Sequence, residues 1–153
     1  MVAKTKLDRT FMRTFVSFES DFSCEDSIEH PKGQELARYL YNGLRESGFQ
    51  VREPQNREDW AWDILLLKDG YQIESILGYV NDSPIQWLVT THLHFSIWKK
   101  LFAGSVKNHA ENELQSYCCT IHRLLSNDRF RFIRWYNQEE FDQNVTDKWE
   151  SYP

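Results

Sequence analysis

The stretch "WAWDILLLKDGYQIESILGYV", residues 60–80, decides the predicted fold because it holds two apolar runs around one tight turn. Asp69-Gly70 is a pair favoured in two-residue type I′ hairpins, so Lys68 is expected to pair with Tyr71. Alternation along both runs then assigns each side chain to a face of the hairpin. One face carries Trp60, Trp62, Ile64, Leu66, Ile73, Ser75, Leu77 and Tyr79, and the other carries Ala61, Asp63, Leu65, Leu67, Gln72, Glu74 and Ile76.

Four further strands are predicted on either side of this hairpin from alternating or apolar-rich runs. They lie at residues 11–22 (FMRTFVSFESDF), 49–54 (FQVREP), 85–95 (IQWLVTTHLHF) and 129–136 (RFRFIRWY). In the third of these runs, His92 and His94 alternate away from Trp87 and Val89. The last run interleaves arginines with aromatic residues, which is typical of an edge strand protected by charge.

Two helices are predicted by apolar positions at helical spacing. The first covers residues 34–47, whose leucines fall at i, i+4 and i+8 on one face, and Gly48 is well placed to end it. The second covers residues 108–126, where Ala110 and Leu114 begin the apolar stripe.

Two segments belong to neither class of element. Residues 96–105, SIWKKLFAGS, predict an irregular apolar connection, and residues 138–153 predict a loosely packed polar tail. The order β-α-β-β-β-β-α-β predicts an α+β two-layer sandwich, with a mainly antiparallel sheet and two helices on one face. We expect those helices to cover the face with Trp60 and Trp62, in a single globular domain of residues 1–153.

The amino-acid composition limits the classes of function that we expect of this protein. A chain of 153 residues with 41% hydrophobic residues is large enough to bury a core without disulfides or metals. A net charge of −5 counts against binding to nucleic acid or to an anionic membrane, because both depend on basic residues. No apolar run is long enough for a signal peptide or a membrane span, so we expect a cytoplasmic protein. Cys24, Cys118 and Cys119 lack the spacing of a disulfide framework or a zinc site, and reduced thiols are expected.

The residues that bear chemistry do not form an enzyme motif. His92 and His94 project from one face of a strand, where Asp63 and Glu74 also lie if the strands are neighbours, and such groups can ligate a divalent metal. Alternate histidines are weak evidence for a metal, however, and a solvated or partner-binding face is the simpler interpretation. His109-Ala110-Glu111 matches only half of the zinc deaminase signature. Glycine-rich phosphate loops and a nucleophile elbow are both missing from the sequence, so we expect no cofactor and no catalytic residue.

An acidic segment offers a second candidate surface. It contains no Lys or Arg from its first acid to its last, and its acids are Glu19, Asp21, Glu25, Asp26 and Glu29. Such a run is either a solvated loop or a surface that attracts a basic partner, since opposite potentials speed association and select the partner.

One stretch resembles a family pattern. Residues 33–62, "GQELARYLYNGLRESGFQVREPQNREDWAW", are similar to small uncharacterised bacterial proteins whose helix reads G-x-E-L-A-x-x-L, followed by a proline and an E-D-W-x-W strand. These resemble the small acidic cytosolic proteins encoded near secreted toxins, which act as immunity proteins. The resemblance implies a context of toxin neutralisation and identifies no catalytic residue.

The sequence therefore predicts a non-enzymatic bacterial immunity protein that binds a toxin with a basic surface. The residues expected at the interface are Glu19, Asp21, Glu25, Asp26, Glu29, Asp63, Glu74, His92 and His94. Two alternatives remain: a metal-dependent or small-ligand enzyme that uses the face of His92 and His94, and a regulatory domain with an apolar ligand pocket.

Overall fold

A computed structural model describes residues 12–24, 29–96, 104–143 and 152–153 of the chain. Within these ranges it contains six strands and three helices. Their bounds are β1 (Phe15–Ser20), α1 (Gln34–Glu46), β2 (Gln55–Arg57), β3 (Ala61–Lys68), β4 (Tyr71–Asp82), β5 (Ile85–Phe95), α2 (Gly104–Leu125), β6 (Phe130–Tyr136) and α3 (Gln138–Asp142).

The strands form one antiparallel sheet in the order β2-β3-β4-β5-β1-β6. The hairpin of β3 and β4 has the predicted register, with Lys68 opposite Tyr71 and Trp62 opposite Leu77. Strand β6 lies at an edge of the sheet, as its interleaved arginines predicted. The α+β fold class is confirmed.

Helices α1 and α2 pack against one face of the sheet, which we call the covered face. Buried strand residues such as Ile64, Ile73 and Val89 meet the apolar stripe of each helix there. At the start of α1, Gly33 adopts a φ of 91° against the ring of Trp87, where a Cβ atom would lie 2.5 Å from Trp87 Cζ3. Only glycine therefore fits this close contact between helix and sheet. Bringing both helices to one face leaves the opposite face uncovered by them.

The two tryptophans of the opening stretch separate, which corrects the prediction that helices cover both. Glu58 and Asp59 adopt left-handed φ values of 48° and 62° in a turn, so β3 begins only at Ala61. Trp62 is 6% exposed in the core, whereas Trp60 is 55% exposed. The turn breaks the alternation that would have placed both indoles on the covered face.

The short strand predicted at residues 49–54 is also displaced. Val51 makes only an isolated bridge to Leu66, and the strand β2 follows Pro54 instead of preceding it. Proline lacks the N–H that a ladder needs, so pairing with β3 resumes only beyond it.

The segment predicted as a loose tail begins with helix α3. Asn137 and Glu140 form a capping box at its start, and Arg13 donates to both carboxylate oxygens of Glu140 at 2.8 and 3.1 Å. Phe141 packs edge-on against Phe15 of β1. Local capping and these contacts with distant residues hold α3 on the sheet. The predicted apolar connection with Trp98, in contrast, lies largely outside the described residues.

Candidate functional site

The uncovered face of the sheet carries an ionic ladder, which we define as Arg57, Asp63, Glu74 and His94. Arg57 Nη1 of β2 lies 3.2 Å from both carboxylate oxygens of Asp63 on β3 and 3.0 Å from Glu74 Oε1 on β4. The other oxygen of Glu74, Oε2, lies 3.1 Å from His94 Nε2 on β5. The ladder thus crosses four neighbouring strands.

Aromatic rings continue the ladder toward the far edge of the sheet. His92 stacks on His94 with ring centroids 6.1 Å apart, and its Nε2 atom lies 3.1 Å from Thr90 Oγ1. The ring of Phe15 on β1 lies 5.3 Å from that of His92, and Phe141 of α3 closes the row. Five strands and α3 therefore contribute to one polar and aromatic surface.

Burial and charge set the protonation of this surface. Partial burial raises the pKa of Asp63 above its usual value, even though the hydrogen bond from Arg57 opposes that rise. Desolvation of the Asp63 carboxylate is the largest cause, and the negative charge of Glu74 adds to it. Burial lowers the pKa of His92, and the neighbouring charge of His94 adds to the effect. His92 is therefore neutral at pH 7 and presents an uncharged ring.

Trp60 extends the uncovered face at the end of the sheet where β3 begins. A Cβ atom at Gly78 of β4 would lie 3.8 Å from Trp60 Cζ3, which places the indole over the face that also carries Asp63. Tryptophan and arginine are the residue types enriched in binding hot spots. Arg57 and Trp60 are two residues of this site that were not among the predicted interface residues. The tryptophan pair was expected in the core, with an exposed pair that grips a partner as the alternative. Arg57 and Trp60 flank the Glu58-Asp59 turn.

The structure brings together four of the predicted interface residues. Asp63, Glu74, His92 and His94 share the uncovered face, as their alternation predicted.

The acidic segment begins at the end of β1 that is farther from Phe15. Asp21 accepts a hydrogen bond from Arg129 Nε at 2.9 Å, so part of its charge is already compensated. Glu19 belongs to β1 opposite Gln86, and Glu29 is exposed. Glu25 and Asp26 lie outside the described residues. Through its partner Gln86, Glu19 therefore lies on the uncovered face, six residues along β5 from His92.

The candidate metal groups are engaged in other contacts. Both oxygens of Glu74 already accept hydrogen bonds, and across residues 12–24, 29–96, 104–143 and 152–153 no three His, Cys, Asp or Glu side chains are arranged to hold a metal ion. His109 lies 3.9 Å from Glu113, which also accepts a hydrogen bond from Tyr71. The cysteines are free thiols, with Cys118 buried and its neighbour Cys119 exposed.

Comparisons with protein-family models, with curated proteins and with solved structures found no significant match. None of the described helices has the length and apolar character needed to cross a membrane.

Proposed function

We propose that this chain is a non-enzymatic binding protein, and specifically a bacterial immunity protein that neutralises a toxin by direct binding. The observation that carries the proposal is the uncovered face, where Trp60, Arg57 and the rest of the ionic ladder form one surface. The side chains of the ladder are held by hydrogen bonds before any partner binds, and such preorganisation lowers the entropic cost of association.

The ladder supplies directional contacts. Glu74 and Asp63 are only partly exposed, with side-chain exposures of 20% and 24%, so a partner that covers the face removes little further water from them. Both carboxylates already accept hydrogen bonds from Arg57, so neither would be buried without a cationic partner in the complex. The exposed indole of Trp60 can then fill an apolar pocket of the partner.

The acidic segment supplies long-range attraction. A protein of net charge −5, with five acids and no Lys or Arg between Glu19 and Glu29, attracts a basic toxin and speeds encounter. The resemblance to immunity proteins along residues 33–62 supports the same assignment. In this proposal the acidic segment steers the partner and the uncovered face binds it.

Co-expression with the product of a neighbouring gene tests the proposal. We expect the two proteins to co-purify and the chain to rescue growth of cells that make the toxin. Trp60→Ala should weaken the complex at least tenfold in Kd, since hot-spot truncations cost about 2 kcal/mol or more. The matched control is Phe132→Ala, because Phe132 is a similarly exposed aromatic residue, at 49%, on the edge strand β6.

A failure to co-purify together with no rescue of growth would reject the proposal. So would stoichiometric zinc, iron or manganese in the purified protein, which would instead favour the enzyme alternative at His92 and His94. Equal weakening by Trp60→Ala and Phe132→Ala would reject the uncovered face as the specific interface.

The steering role has its own test. Replacing Glu25, Asp26 and Glu29 together with Ala should slow association and reduce its salt dependence, because exposed charges act mainly on encounter. The melting temperature should change little, since Glu29 is exposed and exposed charges contribute little to folding. Stopped-flow association at several salt concentrations measures both quantities, and an unchanged rate and salt slope would contradict the steering role.

A further inference from the structure

A cleft of about 550 Å³ opens where β1 begins, next to the uncovered face. Leu93 of β5 and Leu114 of α2 are among its apolar lining residues, and Phe15 and His92 line it from the uncovered face. Residues of α3 line it as well. The cleft therefore joins the binding surface described above to the core between sheet and helix.

Along the cleft, one backbone edge of β5 is not paired with any described strand. Strand β1 pairs with β5 as far as Phe15 opposite Thr90, and the Thr91 N–H then donates to the Thr14 carbonyl at 3.0 Å. Strand β5 continues to Phe95, paired on its other side with β4. Backbone groups two residues apart point to the same side of a strand, so those of Leu93 point into the cleft. Among the described residues no strand pairs with β5 beyond this point.

The rim of the cleft is acidic. Glu139 and Asp142 of α3 line it, and no Lys or Arg occurs among its described lining residues. The side-chain partners found for these two carboxylates are neutral amides, from Gln143 at 3.3 Å and Gln138 at 2.9 Å. A hydrogen bond from a neutral amide does not compensate the charge of a carboxylate, so the rim favours a cation.

We propose that this cleft binds an extended, basic segment of the partner protein as a strand added to β5. Backbone hydrogen bonds to Leu93 supply affinity, as in other complexes formed by strand addition. Alternate apolar side chains of the segment contact Leu93 and Leu114, and its basic side chains reach Glu139 and Asp142. This inference rests on the proposed function, because it names the part of the toxin that the binding protein holds.

Two synthetic heptapeptides test the proposal on the full chain. The basic probe is KVKLKVK and the acidic control is EVELEVE, both with blocked ends and identical apolar residues. We expect calorimetry to detect binding of the basic probe only. Methylating alternate backbone nitrogens of that probe should abolish binding, because it removes the donors that a strand ladder needs. Amide hydrogen exchange at Leu93 should slow when the unmodified probe binds.

Charge variants identify the rim. Glu139→Gln combined with Asp142→Asn should raise the Kd of the basic probe about three- to tenfold, since two exposed ion pairs are lost. Glu46→Gln combined with Glu53→Gln removes the same charge from exposed positions elsewhere and should leave the Kd unchanged. The Gln and Asn side chains keep the shape of the rim, so folding is preserved.

Several results would overturn the inference: no binding of the basic probe at millimolar concentration, equal binding of the acidic control, or full binding of the methylated probe. The proposed function is judged separately. If the purified partner binds the wild-type chain and the Glu139→Gln/Asp142→Asn variant equally, the cleft is not the partner's site, while the binding function itself stands.

Discussion

The covered and uncovered faces belong to the same strands and differ in what their side chains do. On the covered face Trp62, Ile64 and Leu77 are buried against the helices, and their removal from water stabilises the fold. On the uncovered face Asp63 and Glu74 stay partly exposed, and both carboxylates contact the guanidinium of Arg57. Because alternate residues of a strand serve opposite faces, substitutions at adjacent positions should separate stability from binding.

The two tryptophans offer the largest test of this comparison. Trp62→Ala should lower the free energy of unfolding by about 3–5 kcal/mol, because it opens a cavity in the core. It also removes the indole donor whose nitrogen lies 3.2 Å from the Pro31 and Lys32 carbonyl oxygens. Trp60→Ala should change stability by no more than about 0.5 kcal/mol, as expected of an exposed side chain. Urea denaturation measures both, and similar losses for the two variants would show that the faces do not differ in this way.

Polar groups on the two faces give a smaller contrast. On the covered face Ser75 Oγ lies 2.9 Å from Thr91 Oγ1 and donates to the buried Tyr117 hydroxyl at 3.0 Å. Tyr117→Phe should cost about 0.5–1.5 kcal/mol, the usual net value of a hydrogen bond. Glu74→Gln on the uncovered face should cost less than about 1 kcal/mol, because its ion pairs are partly solvated.

The same urea titrations check this pair of variants. A larger loss for Glu74→Gln than for Tyr117→Phe would contradict the assignment of stability to the covered face. The slope of unfolding free energy against urea concentration should be the same in both variants as in the wild type. This would show that neither substitution changes the surface area exposed on unfolding.

The smallest expected effect is a pH dependence on the uncovered face. Burial depresses the pKa of His92 below its usual 6.5, so the unfolded chain binds a proton there more readily than the folded chain does. Its contribution to stability is present above pH 6.5 and is lost as pH falls through the folded pKa. His94, Glu74 and Arg57 are the charged neighbours of this ring.

His92→Gln should therefore reduce the fall in unfolding free energy between about pH 7.5 and 5.5. Asp63 acts in the opposite sense: its raised pKa contributes stability at low pH that is lost as pH rises through the folded pKa. An Asp63→Asn variant serves as the control, since it should leave the loss attributed to His92 in place. Equal pH slopes in wild type and His92→Gln would contradict the effect of burial on His92.

Much of the fold follows from local signals. Asp69-Gly70 determined the hairpin and its register, and alternation correctly placed Asp63, Glu74, His92 and His94 on one face. The helices were found from their apolar stripes, although α2 begins four residues earlier than predicted, at Gly104. These predictions succeeded because each depends on residues close together in the chain.

The candidate site was less accessible to sequence reasoning. Glu58 and Asp59 take left-handed φ values without a glycine, and the tolerance of Asp59 for this conformation is too weak a signal, so the turn that exposes Trp60 was not predicted. That turn also brings Arg57 beside Asp63. The ladder depends on this turn, because the alternation of strand residues does not predict that Arg57 provides the cation.

By itself the sequence determined the α+β class, the hairpin register and the separation of apolar from polar residues between two faces, because the periodicity of a strand is local. Only the tertiary structure decided that Arg57 joins Asp63 to Glu74, that α3 docks on Phe15, and that a cleft with an acidic rim opens beside β5. Those features join side chains distant in sequence, and their positions depend on how the strands and helices pack together.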